Sequence, residues 1–364
     1  MKTLFNIDMH ISIVHDVKNL LPEIGYEIDS CCMSGHTWVN KEKQGTTDVV
    51  NPSNWLGIDQ KMCDEFYERY RNELSHYDGF IHSYPPAFAA LFEKFEKPIY
   101  TIACTRYDYP CGSGESAAQD RLEWLNHKII KGYKSGQITL IANNLYDKKY
   151  CEEFCGGEWK FIPSICTYIH DNKCTGETGS VVLWDRNNDG LRDDFLKHPK
   201  INNDFTMTRP YDRSKLSGLS GVVHIPYNIS VMSSFEHYAM GIPMFIPSYD
   251  LLIKWKNEGR NVLSELEFVN NFNQPPKDEW IQLADWYDEE NMPYIQLYDS
   301  IEHLSEILDS YNQEEITSKM REFYPRKKEK TLSLWKRPYN ENISYGWCRI
   351  FGLTPLRQFN QKRR

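Results

Sequence analysis

Short apolar runs that alternate with longer amphipathic stretches constrain this chain more than any other feature it has. Thr3–Met9, Tyr26–Met33, Gly79–His82, Ile99–Cys104, Ile138–Ala142 and Trp159–Pro163 read as strands. Between them, Val14–Leu21, Gln60–Leu74, Ala117–Lys131 and Asp147–Phe154 read as helices, as does the stretch after Pro85-Pro86 that puts Phe88, Leu91, Phe92 and Phe95 on one face. Alternation of this kind implies a parallel sheet whose right-handed crossovers carry helices onto its faces. Residues 167–179 are polar and without periodicity, as a linker is, and Ser180–Trp184 then opens a second sheet. The chain of 364 residues has room for two ordinary domains. The expected organisation is an N-terminal domain over 1–166, a linker over 167–179, a second domain over 180–325, and a returning helix with a basic tail over 326–364.

The most informative part of the second half is His224–Ser248. A strand with Val222, Val223 and Ile225 ends at Pro226, and a short helix carrying Glu236 closes at Gly241. Gly241 suits a left-handed C-terminal position, and Pro243 forbids continuation before the next strand, Met244-Phe245-Ile246. Ser230 is the expected N-cap, which leaves the amides of Val231, Met232 and Ser233 free to face an anion such as a diphosphate. Glu236 shares a helix face with Met232 and Ala239 and points to the apolar side, where a carboxylate needs hydrogen bonds. A ribose diol would supply two of them; a neighbouring Arg or Lys would serve equally.

The pattern Glu-x-x-Ala-x-Gly-x-Pro at 236–243, following a Pro-ended strand, resembles the donor-site motif of glycosyltransferases with the B-type fold, especially the retaining enzymes that use sugar nucleotides. The resemblance implies an α/β fold of two doubly wound, Rossmann-like domains facing a central cleft, with the C-terminal helix returning to the N-terminal domain. It implies a nucleotide-sugar donor, with UDP or GDP as carrier, and a glycan acceptor. Glu236 would hold the nucleotide ribose, the amides around Ser230, Met232 and Ser233 would face the diphosphate, and Arg186, just past Trp184, would contact the phosphates, with Arg192 in reserve. Asn228 stands where many members carry a second Glu that touches the transferred sugar. Sugar identity and stereochemical outcome therefore stay open.

Transfer from a nucleoside diphosphate asks for preorganised donors and cations around the leaving group more than for covalent chemistry. On the acceptor side, strand ends bring Asp8, His10, Ser12, His82 and Thr105-Arg106 to the cleft. His10 leads as the candidate base, with Asp8 and His82 beside it; His36 and Asp16 follow. If transfer is retaining, a leaving phosphate oxygen takes the acceptor proton and no protein base is required.

A net charge of −9 argues against a chain built to bind a nucleic-acid backbone. Arg326-Lys327-Lys328 with Lys330, and the tail Lys362-Arg363-Arg364, read as solvated surface and frayed terminus. Other readings are a sugar transferase acting on DNA bases, as some viral enzymes do, which needs a basic cleft; a nucleotide-sugar epimerase; and a non-catalytic nucleotide-sugar binder. The ten cysteines include no paired Cys-x-x-Cys spacing, and no Asp-x-Asp follows a strand, so neither a metal nor another cofactor is expected. No apolar run reaches the roughly 20 residues of a membrane helix. With Asp8 interrupting the first run, a cytoplasmic location is expected.

Overall fold

The computed structural model describes residues 1–108, 117–169, 172–185, 191–202, 213–269 and 277–351. Its first sheet holds β1 (Lys2–Asp8), β2 (Tyr26–Cys32), β3 (Gly79–His82), β4 (Ile99–Ala103), β5 (Ile138–Ala142) and β6 (Lys160–Phe161), in the order β2-β1-β3-β4-β5-β6. Every pair is parallel. The crossovers carry α1 (Ile11–Leu20), α2 (Gln60–Tyr70), the single turn α3 (Ala89–Phe92) between two 3-10 turns, α4 (Ala117–Lys134) and α5 (Leu145–Phe154). All residues of β3, β4 and β5 are buried, which is why these strands read as unbroken apolar runs and not as alternating ones.

The second sheet holds β7 (Val181–Trp184), β8 (Ile201–Asn202), β9 (Gly221–His224), β10 (Met244–Pro247) and β11 (Gln296–Tyr298), in the order β11-β10-β9-β7-β8 and again all parallel. With it come α6 (Leu191–Phe195), α7 (Arg213–Ser217), α8 (Met232–Met240), α9 (Tyr249–Asn257), α10 (Ser264–Val269) and α11 (Ile301–Ser310). The chain is therefore an α/β protein of two Rossmann-like sheets. Each sheet reverses its strand order once, between β1 and β3 in the first and between β7 and β9 in the second. In open parallel sheets the crevice for ligands lies at that reversal, beyond the carboxyl ends of the strands.

The final helix, α12 (Gln313–Phe351), begins well before residue 326, where the sequence placed the start of the returning helix. It starts on the second sheet, where Thr317 Oγ1 donates to the Gly241 carbonyl at 2.8 Å. It then passes the segment between the sheets, where Tyr324 Oη donates to the Ile165 carbonyl at 2.9 Å. It then reaches the first sheet, with Lys328 paired to Glu23 at 2.6 Å and Trp335 buried in the apolar cluster of Leu4, Ile13, Val17 and Ile162. No described helix is long and apolar enough to cross a membrane.

Candidate functional site

The reversal in the second sheet is filled by the turn from β9 into α8. Gly241 closes α8 in the left-handed region at φ 76°, its amide donating to the Tyr238 carbonyl at 2.9 Å, as the sequence requires. The amino end differs from expectation. Val231, not Ser230, is the N-cap residue, and no side chain caps the helix. The Ser230 hydroxyl is drawn away to Asp285, donating to Oδ2 at 2.6 Å. A buried carboxylate is the stronger acceptor, so the hydroxyl serves it and not the helix. By contrast α1, α2, α5, α9 and α11 each receive a side-chain cap. Among the described residues, no side chain accepts from the first amides of α8, on the half-buried Met232 and Ser233. Met232 also packs against the apolar cluster of the first sheet, so this helix end faces the opposite sheet.

Glu236 is buried one turn into α8, and Oε1 accepts from Tyr168 Oη at 2.7 Å and from Arg213 Nη2 at 3.1 Å. Of the sequence's two alternatives for this carboxylate, the structure holds the neighbouring arginine. Asn228 is buried as well, its Oδ1 accepting from its neighbour's amide at 2.9 Å and from Arg106 Nη2 at 3.3 Å. Arg106 follows β4, so this bond spans the carboxyl edges of both sheets. The guanidinium is 1% exposed, pairs with the fully buried Asp147 at 3.1 Å, and lies over the Tyr146 ring. The sequence noted Arg106 only as a strand-end residue; nothing local signals that its partner lies more than a hundred residues away.

On the first sheet, the reversal lies between His10 and Ser83. Asp8 does not present itself as a reacting carboxylate. It is fully buried and accepts from the amides of His10 (2.8 Å), Ser83 (2.5 Å) and Tyr84 (3.1 Å) and from the Ser83 hydroxyl (2.8 Å). Burial pushes its pKa up to about 6 against the pull of these donors. Asp8 thus ties the ends of β1 and β3 together. His10 caps α1, its Nδ1 accepting from the Ile13 amide at 3.4 Å. That contact assigns the proton of the neutral ring to Nε2, which makes His10 a donor from its outer nitrogen. His82 is enclosed against Phe92, and burial drives its pKa down to about 3, so it stays neutral. His224 and His237 are likewise neutral, each pushed to about 3 by burial. Asp16 is a tie between α1 and the inter-sheet segment, accepting from the amides of Ile165 at 3.1 Å and Cys166 at 2.8 Å. Arg186 lies outside the described residues. Arg192 is half-buried on α6, Ser12 sits in the first turn of α1, and His36 is exposed on a loop.

The basic cluster on α12 is a solvated face only in part, with Arg326 and Lys330 exposed. Lys328 pairs with Glu23 and Lys330 with Glu290, while Lys327 is 3% exposed and turned inward. Its ammonium lies over the rings of Phe235 at 5.3 Å and Tyr238 at 5.0 Å, both on α8. Burial lowers its pKa to about 8, opposed by the charges of Asp285, Cys166, Asp16 and Asp288. Sequence reasoning missed this inward turn, because a run of basic residues carries no sign of which member faces the protein.

No family model matches this sequence, and no curated protein does. Among solved structures, the chain is similar to the glycosyltransferase SnogD from Streptomyces nogalater at 12% identity, covering 92% of this chain and 99% of that one, with a TM-score of 0.44. It is similar to Phytolacca americana UGT2, solved with UDP-2fluoro-glucose and pterostilbene, at 11% identity over 94% of this chain and 100% of that one, TM-score 0.46. A third is the spinosyn rhamnosyltransferase SpnG complexed with thymidine diphosphate, at 10% identity over 90% of this chain and 96% of that one, TM-score 0.39. At TM-scores below 0.5 these superpositions carry nothing about reaction or ligand, and the functional reading is drawn from this chain's own residues.

Proposed function

We propose that this chain is a glycosyltransferase that moves a sugar from a nucleotide-activated donor to a glycan or glycoconjugate acceptor without a metal ion. The observation that carries this reading is the uncapped amino end of α8 at the strand-order reversal of the second sheet, turned toward the reversal of the first. The diphosphate takes the amides of Met232 and Ser233, where the helix dipole favours negative charge. The ribose hydroxyls take Glu236, sharing or displacing Tyr168 and Arg213. Asn228 meets the transferred sugar as a neutral amide, and Arg186 adds a cation to the phosphates. UDP or GDP is the expected carrier.

As the bond to the leaving group breaks, positive charge builds on the sugar and negative charge on the phosphates. Fixed amides and cations lower the barrier by meeting that second charge without reorganising. With Nδ1 of His10 committed to its helix, the ring donates from Nε2 to a sugar or acceptor oxygen. This arrangement favours the retaining route, in which a leaving phosphate oxygen accepts the acceptor's proton. Among the described residues no group of three His, Cys, Asp or Glu is placed to hold a metal ion.

The test is product analysis. Full-length protein is incubated with UDP- and GDP-hexoses and a panel of oligosaccharide acceptors, and products are read by mass spectrometry and anomeric NMR. A sugar added with its anomeric configuration kept supports the proposal. Nucleotide binding with no sugar added to any acceptor, or an epimerised donor as the product, overturns it.

A further inference from the structure

We propose that Lys327, carried into the cleft by α12, is a positioning residue that binds the anionic diphosphate end of the ligand at the amino end of α8. The inference rests on the donor-site reading above and adds to it a cation from the returning helix.

The first observation is that Lys327 is a buried ammonium without an anion. It is 3% exposed, and among the described residues its Nζ has no ion pair and no hydrogen bond, only the rings of Phe235 and Tyr238. Its helix neighbours Lys328 and Lys330, far more exposed, both have carboxylate partners. An unpaired buried charge is among the costliest features a fold retains, and two aromatic faces offset only part of that cost. Substituting a hydrophobic residue of the same length would remove the cost entirely.

The second observation is what surrounds it. Phe235 and Tyr238 lie on α8, and helical side chains lean toward the amino end of their helix. Asp285, whose charge acts on the ammonium, also holds the hydroxyl of Ser230, the residue just before the N-cap. Asp285 thus links the ammonium to Ser230, the residue that leads into the helix end carrying the amides of Met232 and Ser233. The other titratable groups beside Lys327 are Asp16, Asp288 and Cys166. Asp285 is engaged by the Ser230 hydroxyl and Asp16 by the amides of Ile165 and Cys166, and among the described residues neither carboxylate hydrogen-bonds the ammonium. An anion entering the cleft meets a cation not yet neutralised, beside amides not yet bonded. A compact ammonium suits a phosphate oxygen.

The experiment is isothermal titration of the full chain with UDP, GDP, the parent nucleosides and inorganic pyrophosphate, for the wild type, Lys327→Met and Lys327→Arg. The methionine fills the same space between the two rings. We expect Lys327→Met to lose about tenfold to a hundredfold in nucleoside diphosphate affinity, the range for a hydrogen bond to a charged group. Nucleoside affinity should stay unchanged, Lys327→Arg should keep most of the diphosphate affinity, and unliganded Lys327→Met should melt at the wild-type temperature or above it. Wild-type affinity should also fall as pH rises through about 8, where the ammonium discharges.

Diphosphate affinity unchanged in Lys327→Met overturns the inference while leaving the donor site standing. So does a Lys327→Met chain that fails to fold, if wild-type affinity is flat from pH 7 to about 9. Pyrophosphate bound in a Lys327-dependent way, with no nucleotide preferred over it, keeps the inference and removes the nucleotide-sugar reading. Binding of none of these ligands overturns both.

Discussion

Substitution of Asp147 by Asn tests whether the link between the two sheets depends on one buried ion pair. Asp147 is fully buried and Arg106 is 1% exposed, so neither charge has water to fall back on. Asp147 Oδ1 accepts from the Arg106 amide at 3.0 Å and from Nη1 at 3.1 Å, while Oδ2 accepts from Asn144 Nδ2 at 2.6 Å. Asn removes the charge, keeps one acceptor and turns an amide group toward a donor. The guanidinium would then keep a neutral amide oxygen, the 3.3 Å bond to Asn228 and the Tyr146 ring, but no counter-charge. Leaving one partner of a buried pair unneutralised costs about 3–5 kcal/mol, against a total stability of about 5–15 kcal/mol. At roughly 2–4 °C per kcal/mol for domains of 150–250 residues, the melting temperature should fall by about 6 °C or more. The assay is thermal and urea unfolding followed by circular dichroism. The double variant Arg106→Met/Asp147→Leu, which removes both charges, should recover most of the loss. A loss below about 1 kcal/mol in Asp147→Asn, or costs that simply add in the double variant, would refute the reasoning.

Gly241→Ala should destabilise by roughly 1–2 kcal/mol, because the position sits at φ 76° and a Cβ would press on Arg321 Cγ at 3.3 Å and Thr317 Cγ2 at 3.4 Å; urea denaturation reads the loss. Burial pushes Asp16 up to about 6, above its unfolded value of about 3.9, so the folded state binds the extra proton between about pH 4 and 6. The contribution of Asp16 to stability therefore falls as pH rises through that window and is level above it, and Asp16→Asn should show a shallower decline in midpoint across pH 4 to 6 than the wild type. His10→Asn keeps a capping side chain on α1 while removing the ring, so nucleotide affinity should hold while the transfer rate falls at least tenfold; an undiminished rate would remove His10 from the site.

The sheets were legible because buried parallel strands leave apolar runs bounded by turn residues, as Ile138–Ala142 does. β8 was not, since two residues, Ile201 and Asn202, make no pattern. α12 was read too short because its residues before Arg326 are mostly polar and serve contacts with several elements, from Thr317 on Gly241 to Tyr324 on Ile165. Ser230 carried the right chemistry for an N-cap and lost it to Asp285, a competitor fifty-five positions away. Local rules rank partners within a turn and cannot see one supplied by the fold. The same limit hid Lys327, whose burial depends on where α12 lies. It also hid the enclosure of His82, because a strand end looks alike whether it opens on a cleft or on Phe92.

The measurement that bears most directly on the central claim is a thermal-shift panel of UDP, GDP, ADP, CMP and dTDP on the wild type and on Glu236→Ala. A ligand at about 100 times its dissociation constant adds about 2.7 kcal/mol of apparent stability, well within reach of the method. The account predicts that one nucleoside diphosphate, UDP or GDP, raises the wild-type midpoint and that the shift is lost when Glu236 is replaced. A wild-type midpoint unmoved by every nucleotide, or a shift that survives in Glu236→Ala, would contradict it.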